Sequence, residues 1–359
     1  MLPVMGSSIM LPELFVTVLG IALATLLAWG FRNLPKERWQ VIGCLLGGKG
    51  GDGIWRGRNL TYYGFWNATA YGLAALMFLI LVGSLTVPAA ASMILLAAIL
   101  AIGMPASALI ALWVEGKANT FTVGGASFAV LIASPWVVSF VDGHLGPRLG
   151  FSISVLSALA AMSIAYAIGE GIGRLACISF GCCYGRPLSA CHPLLRKVFA
   201  GRGFIFTGKT KKIAYAHQLD GQEVIPIQAM TAVLLTATGV AGCYAFLKGF
   251  HVAAFCGTLV VTQIWRVLSE FLRADFRGAG RISAYQIMSL LSIPYIFPVL
   301  VFFPLPDAGT PDLQTGLTAL WDPAVLFFLE TLWVIAFIYT GRSRVTGATI
   351  RLHVVKEKI

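Results

Sequence analysis

Gly171-Ile-Gly-Arg174-Leu-Ala-Cys177-Ile-Ser-Phe-Gly181-Cys182-Cys183-Tyr184-Gly185-Arg186-Pro187 closes a long apolar run with an arginine still inside it. From 151 to 183 the only charged residues are Glu170 and Arg174. A bilayer core is crossed by about 20 apolar residues, so this run is a membrane span. A guanidinium at that depth costs at least about 2.5–3.5 kcal/mol on insertion scales, so Arg174 is expected to face a protein-lined cavity rather than lipid. The run exceeds one crossing, and its end is expected to bend or re-enter around Gly181.

Outward from it the pattern repeats. Windows of about 19 residues give further apolar cores at 10–31, 62–85, 88–114, 121–141, 224–247, 252–272, 284–304 and 318–340. With 58% hydrophobic and 11% charged residues, the chain is far from the ~25% charged composition of soluble domains. The expected fold is an all-α polytopic membrane protein, with eight or nine transmembrane helices around a central lipid-accessible cavity. The first run lacks a positive flank and an Ala-x-Ala site, and is read as a retained helix.

The net charge of +11 does not point to nucleic acid, because the basic residues sit in loops between spans, where anionic lipid head groups are the natural counter-charge. Seven cysteines, most in or beside apolar runs, argue against a disulfide framework. Cys177, Cys182, Cys183, Cys191 and His192 include no Cys-x-x-Cys pair at zinc-finger spacing, so neither a metal nor a cofactor is expected. Gly43-Cys-Leu-Leu-Gly-Gly48-Lys49 approaches a phosphate-binding loop, but Gly50 stands where Ser or Thr would meet magnesium. Glu330, midway along the last span, is a proton site, a partner for a neighbouring Arg or a lipid-shielded acid. His144, His192, His217 and His251 fall in or near loops, the usual place for solvated or capping histidines.

Arg266, Glu270 and Arg273 recur at i, i+4 and i+7 of the seventh span, which places them on one helical face. Arg174 has Glu170 one turn before it. Three arginines against two glutamates leave a net positive site suited to a phosphate.

These same segments resemble the prolipoprotein diacylglyceryl transferase family. The signature Gly-Arg followed by Asn-Phe-x-x-x-Glu-x-Tyr/Trp-Gly-Arg is matched at Gly173-Arg174 and Tyr184-Gly185-Arg186. Trp265-Arg266 to Arg273 is similar to the family's Phe-Arg-x-x-x-Glu-Phe-x-Arg. Tyr63-Gly64, Gly124-Gly125, Pro226 with Gln228, and Gln286 to Pro294 match shorter motifs in the same order. The family's histidine before Gly-Gly is Val123 here, its signature Asn and Glu are Cys177 and Cys182, and a tyrosine four residues before the second arginine is Thr262.

The resemblance implies a membrane transferase of the bacterial plasma membrane that moves a diacylglyceryl group from an anionic phospholipid, phosphatidylglycerol in the family, to a lipoprotein precursor. It implies Arg174, Arg266 and Glu270 as catalytic, with Glu270 orienting Arg266. Tyr63, Gly124, Gly125, Gly185, Arg186, Gln228 and Arg273 are implied as substrate-binding. Residues 62–304 form the resembling core, 1–61 an added helix and basic Gly-rich loop, and 305–359 an added helix and basic tail. The departures keep two alternatives open: a lipid transporter, scramblase or lipid-binding protein of the same fold, and a transferase with a different acceptor. His192 or His217 is a candidate replacement for the missing base.

Orientation is pulled two ways. Of 26 Lys and Arg, 22 lie in alternate loops that the positive-inside rule puts in the cytoplasm with the C-terminal tail. The resemblance implies that the loop after the signature faces the other side. Both hold with a cytoplasmic tail only if 318–340 lies flat or re-enters.

Overall fold

The computed structural model describes residues 7–116, 122–275, 282–304 and 310–359, with side chains from residue 11 onward. Among the described residues, nine helical segments are long and apolar enough to cross a membrane. They are α1 (Ser7–Asn33), α2 (Tyr62–Gly83), α3 (Ala89–Glu115), α4 (Val123–Leu149), α5 (Val155–Phe180), α8 (Ile227–Leu247), α9 (His251–Glu270), the pair α10 (Ala284–Ser292) with α11 (Ile296–Phe302), and α13 (Pro323–Gly341). The eighth crossing breaks at Ile293-Pro294-Tyr295, where the proline cannot continue the hydrogen-bond ladder. Short helices α6 (Pro193–Phe199), α7 (Lys212–His217) and α12 (Leu313–Ala319) lie in the connections.

Helix α5 occupies the centre and packs on α2, α8 and α9. Its sequence explains this: Ala158, Ala161, Ala167, Gly169, Gly171 and Ala176 are all buried, and small side chains let neighbouring helices approach closely where lipid supplies no hydrophobic drive. Helices α1, α3 and α13 turn large apolar side chains outward, including Ile21, Trp113 and Phe327, as a lipid-facing layer requires. Helix α5 does not bend or re-enter. It ends at Gly181, whose left-handed conformation (φ 71°) closes the last turn, and the residues beyond belong to a loop.

Two segments expected as loop and tail form a sheet outside the spans. Strands β1 (Val41–Lys49), β2 (Trp55–Thr61) and β5 (Arg342–Ile350) pair antiparallel in the order β1-β2-β5, with Trp55 opposite both Lys49 and Ile350. The phosphate-loop-like stretch is therefore strand β1 itself. A smaller pair, β3 (Phe204–Ile205) with β4 (Glu223–Val224), folds the loop after α5.

The sheet fixes which ends share a face. Helix α13 runs antiparallel to α2: at one end Gly64 and Gly341 touch so closely that a Cβ on Gly64 would sit 2.0 Å from the Gly341 Cα. At the other end, the Asp312 amide donates to the Ser84 carbonyl at 2.8 Å. The tail thus emerges beside residues 41–61, and 318–340 neither lies flat nor re-enters. The loop after α5 joins the same face. Lys211 Nζ donates to the carbonyls of Leu34 (3.2 Å) and Ser179 (2.6 Å), and Thr210 donates to Gln40 at 2.9 Å. Burial lowers the Lys211 pKa to about 8, partly opposed by Glu37. Lys117, Arg277 and Arg281, which enter the charge count, lie outside the described residues.

Candidate functional site: an arginine-lined intramembrane cavity

Five segments converge on one small cavity that opens to the outside. Glu170 and Arg174 come from α5, Cys183 from the loop after it, and Ile227, Gln228 and Thr231 from the start of α8. The end of α9 supplies Trp265, Arg266, Ser269 and Glu270, followed by Arg273, and α10 supplies Tyr285.

At its centre one carboxylate serves two arginines. Tyr166, Glu170 and Arg174 fall at i, i+4 and i+8 of α5, so they stack on one face. Glu170 accepts hydrogen bonds from the Tyr166 hydroxyl and from Arg174 Nη2. Arg266 Nη1 reaches across from α9, 2.9 Å from both Glu170 oxygens and 2.7 Å from the Tyr166 hydroxyl. The Glu170 side chain is 3% exposed, while those of Arg174 and Arg266 are 14% and 16% exposed. Two cations on one anion leave one positive charge in a medium that screens it poorly.

The expected pairing of Glu270 with Arg266 is not the one formed. Glu270 lies 3.5 Å from Arg273, which also grips Asp275 through Nε (2.8 Å) and Nη2 (2.7 Å). Arg273 is not on the helical face with Arg266, because α9 ends at Glu270 and the chain turns to bridge Arg273 with Gly185. The Arg186 amide donates to Leu272 O at 3.0 Å, and the Ala274 amide to Tyr184 O at 3.1 Å. Burial opposes the Arg273 charge, but Cys183, Asp275 and Glu270 hold its pKa well above the usual arginine range.

The remaining candidates scatter around this centre. Gln228 lines the cavity; its amide donates to Cys182 O at 3.0 Å, and its Oε1 is buried without a hydrogen-bond partner among the described residues. Arg174 Nε is likewise buried with no partner among the described residues. Gly124 supports the cavity from behind: a Cβ there would meet Arg266 Nη2 at 2.4 Å. Gly125 packs on Ile110, and its amide meets the capping Thr122 hydroxyl at 3.4 Å. Tyr63 packs at a tilt against Phe180 and is absent from the cavity lining, as are Gly185 and the exposed Arg186. His217 hydrogen-bonds Tyr184, His192 caps α6, and His251 is buried against Ser157; none reaches the cavity. Glu330 is on the exposed side of α13.

Tyr166, Thr231, Trp265, Ser269 and Tyr285 were not foreseen. Tyr166 carried a legible signal, its i, i+4 spacing to Glu170. Tyr285, which donates to Glu115 at 2.9 Å, carried none, because that partner is 170 residues away.

Sulfur gathers at the cavity wall. The Sγ atoms of Cys177, Cys182 and Cys183 all lie within 4.8 Å of one another, and Cys183 lines the cavity.

Among the described residues, nine apolar helices of spanning length, four of which contribute to a cavity lined by three arginines, define a multi-pass membrane protein with an arginine-lined chamber. The chain belongs to the prolipoprotein diacylglyceryl transferase family, which it matches over residues 57–303, from the second strand to the end of α11. No curated protein matches it.

Proposed function

We propose that the protein transfers a diacylglyceryl group from an anionic phospholipid, with phosphatidylglycerol the donor, to an acceptor thiol on a lipoprotein precursor in the bacterial plasma membrane. The observation that carries this proposal is the single Glu170 carboxylate shared by Arg174 and Arg266. It keeps both guanidiniums charged inside the membrane and leaves a surplus cation facing the cavity.

In the proposed step, the acceptor sulfur attacks the glycerol carbon that carries the phosphate. A C–S bond forms, the C–O bond breaks, the electron pair leaves on glycerol phosphate, and the thiol proton passes to solvent. Negative charge grows on the leaving oxygen, where Arg174 and Arg266 stabilise it most in the transition state. Gln228 Oε1, without a partner among the described residues, accepts from a head-group hydroxyl. Glu270 and Asp275 hold Arg273 at the rim as a third phosphate contact. Gly124 acts through Arg266 and is a positioning residue. Residues 62–304 form the transfer core, with the flanking helices and sheet as additions.

The test uses purified protein, phosphatidylglycerol labelled in its head glycerol, and a cysteine-bearing precursor peptide. Glycerol phosphate release with thioether formation is the expected result. Arg266→Lys keeps the charge but loses the two-pronged geometry, and should lose about 10–100-fold in turnover, the worth of one charge-assisted hydrogen bond of roughly 1.5–3 kcal/mol. Redistribution of lipid between leaflets with no donor consumed would overturn the transferase in favour of a transporter.

A further inference from the structure

We propose that Cys177, Cys182 and Cys183 form a trithiolate site for Zn²⁺ in the wall of the arginine-lined cavity, with the fourth coordination position turned toward the cavity.

The backbone builds the cluster. Cys177 is in the last turn of α5, and after Gly181 the Cys182 amide returns to the Cys177 carbonyl at 3.0 Å, a six-to-one closure that folds the next residue back over the helix end. Cys183 then takes φ 56°, an uncommon conformation for a residue with a Cβ, and faces the cavity. The three sulfurs end within 4.8 Å of one another. Zinc–sulfur bonds of about 2.3 Å in a tetrahedron put the sulfurs about 3.8 Å apart, so closing on an ion asks for roughly 1 Å of side-chain movement.

Charge favours the same ion. Three thiolates around Zn²⁺ carry one net negative charge, and Arg174 lies within electrostatic reach of Cys177 and Cys183, as Arg273 does of Cys183. Cys44, Cys191, Cys243 and Cys256 join no such group among the described residues. Three protein ligands with one open position is the arrangement of reactive rather than purely structural zinc.

The cluster also occupies telling positions. Cys177 and Cys182 stand where the resembling family has Asn and Glu, and no histidine reaches the cavity. Resting on the proposed transfer reaction, the ion's role is to bind the acceptor thiol at the open position. Its S–H proton is released to water and a zinc–sulfur bond replaces zinc–water, which presents a thiolate beside the donor carbon.

The test begins with full-length protein in detergent and reductant, stripped by chelator and then titrated with zinc chloride. One zinc per chain after gel filtration is expected. Cys182→Ser and Cys183→Ser should each weaken binding at least ~100-fold, beyond the loss usual for an outer-shell partner. Cys191→Ser and Cys243→Ser should keep one equivalent. Cobalt added to the unaltered protein should give the thiolate-to-cobalt charge-transfer absorption, which decides the matter even if the serine variants do not fold. Absence of that band, or zinc retained in Cys182→Ser, overturns the site. Zinc binding without glycerol phosphate release would leave the site standing and remove the transfer reaction; release by zinc-free protein would leave the transfer reaction standing and overturn the ion's part in it.

Discussion

Gly124→Ala adds one methyl group on α4, and its consequence is legible in distances. The new carbon would stand 2.4 Å from Arg266 Nη2 and 3.3 Å from Tyr285 Cδ1. Ordinary contact is about 3.5 Å, so the guanidinium must retreat by roughly 1 Å. Arg266 holds Glu170 through its other terminal nitrogen, Nη1, at 2.9 Å, and a guanidinium that pivots away from the methyl group loses that bond once it passes the ~3.2 Å limit of a good hydrogen bond. The clash is with the end of a flexible side chain, so folding should change by less than about 1 kcal/mol. A 1 Å misplacement of a group that stabilises developing charge costs about 100-fold in rate, or about 2.7 kcal/mol. The expected outcome is a near-native melting temperature in detergent with glycerol phosphate release reduced about 100-fold. Gly143→Ala is the control: it lies on the same helix, its added methyl would meet nothing within 4 Å, and it shares any gain in helix propensity. Equal turnover in the two variants would refute the claim that Gly124 seats Arg266.

Glu170→Gln leaves two buried guanidiniums facing each other, so stability should fall by about 3–5 kcal/mol, seen as a large drop in melting temperature, whereas Arg266→Ala, which leaves Glu170 with Arg174, should melt much closer to the unaltered protein. Lys211 has its folded pKa below the ordinary 10.5, so burial of its charge destabilises the fold below about pH 8, and that penalty is relieved as pH rises from about 8 toward 10.5. Resistance of the 181–223 loop to proteolysis should rise across this window and lose its pH dependence in Lys211→Met. A cysteine introduced at Lys209, with reactive native thiols removed, reports orientation: because the loop, the sheet and the tail share one face, a membrane-impermeant reagent should label position 209 and a tail position together or neither. Labelling of only one would contradict the shared face, and labelling of both in intact cells would defeat the charge-rule orientation.

The membrane class was legible in the sequence, because apolar run length answers to bilayer thickness and to nothing more distant. So was the placement of Arg174 and Arg266 against protein, since the cost of a charge in lipid is local. Helical spacing disclosed Glu170 beside Arg174, but Arg266 is 96 residues from Glu170, and its choice of that carboxylate over Glu270 depends on α5 and α9 packing together. Arg273 left the helical face for a similar reason: its partner across the bridge, Gly185, lies in another loop. Strand β5 finds β2 nearly 300 residues away, so no window contained the pairing that makes a basic loop and tail into a sheet. The three sulfurs likewise fit no linear metal motif. A helix cap and one left-handed residue gather them, and only the tertiary fold sets them against the arginines.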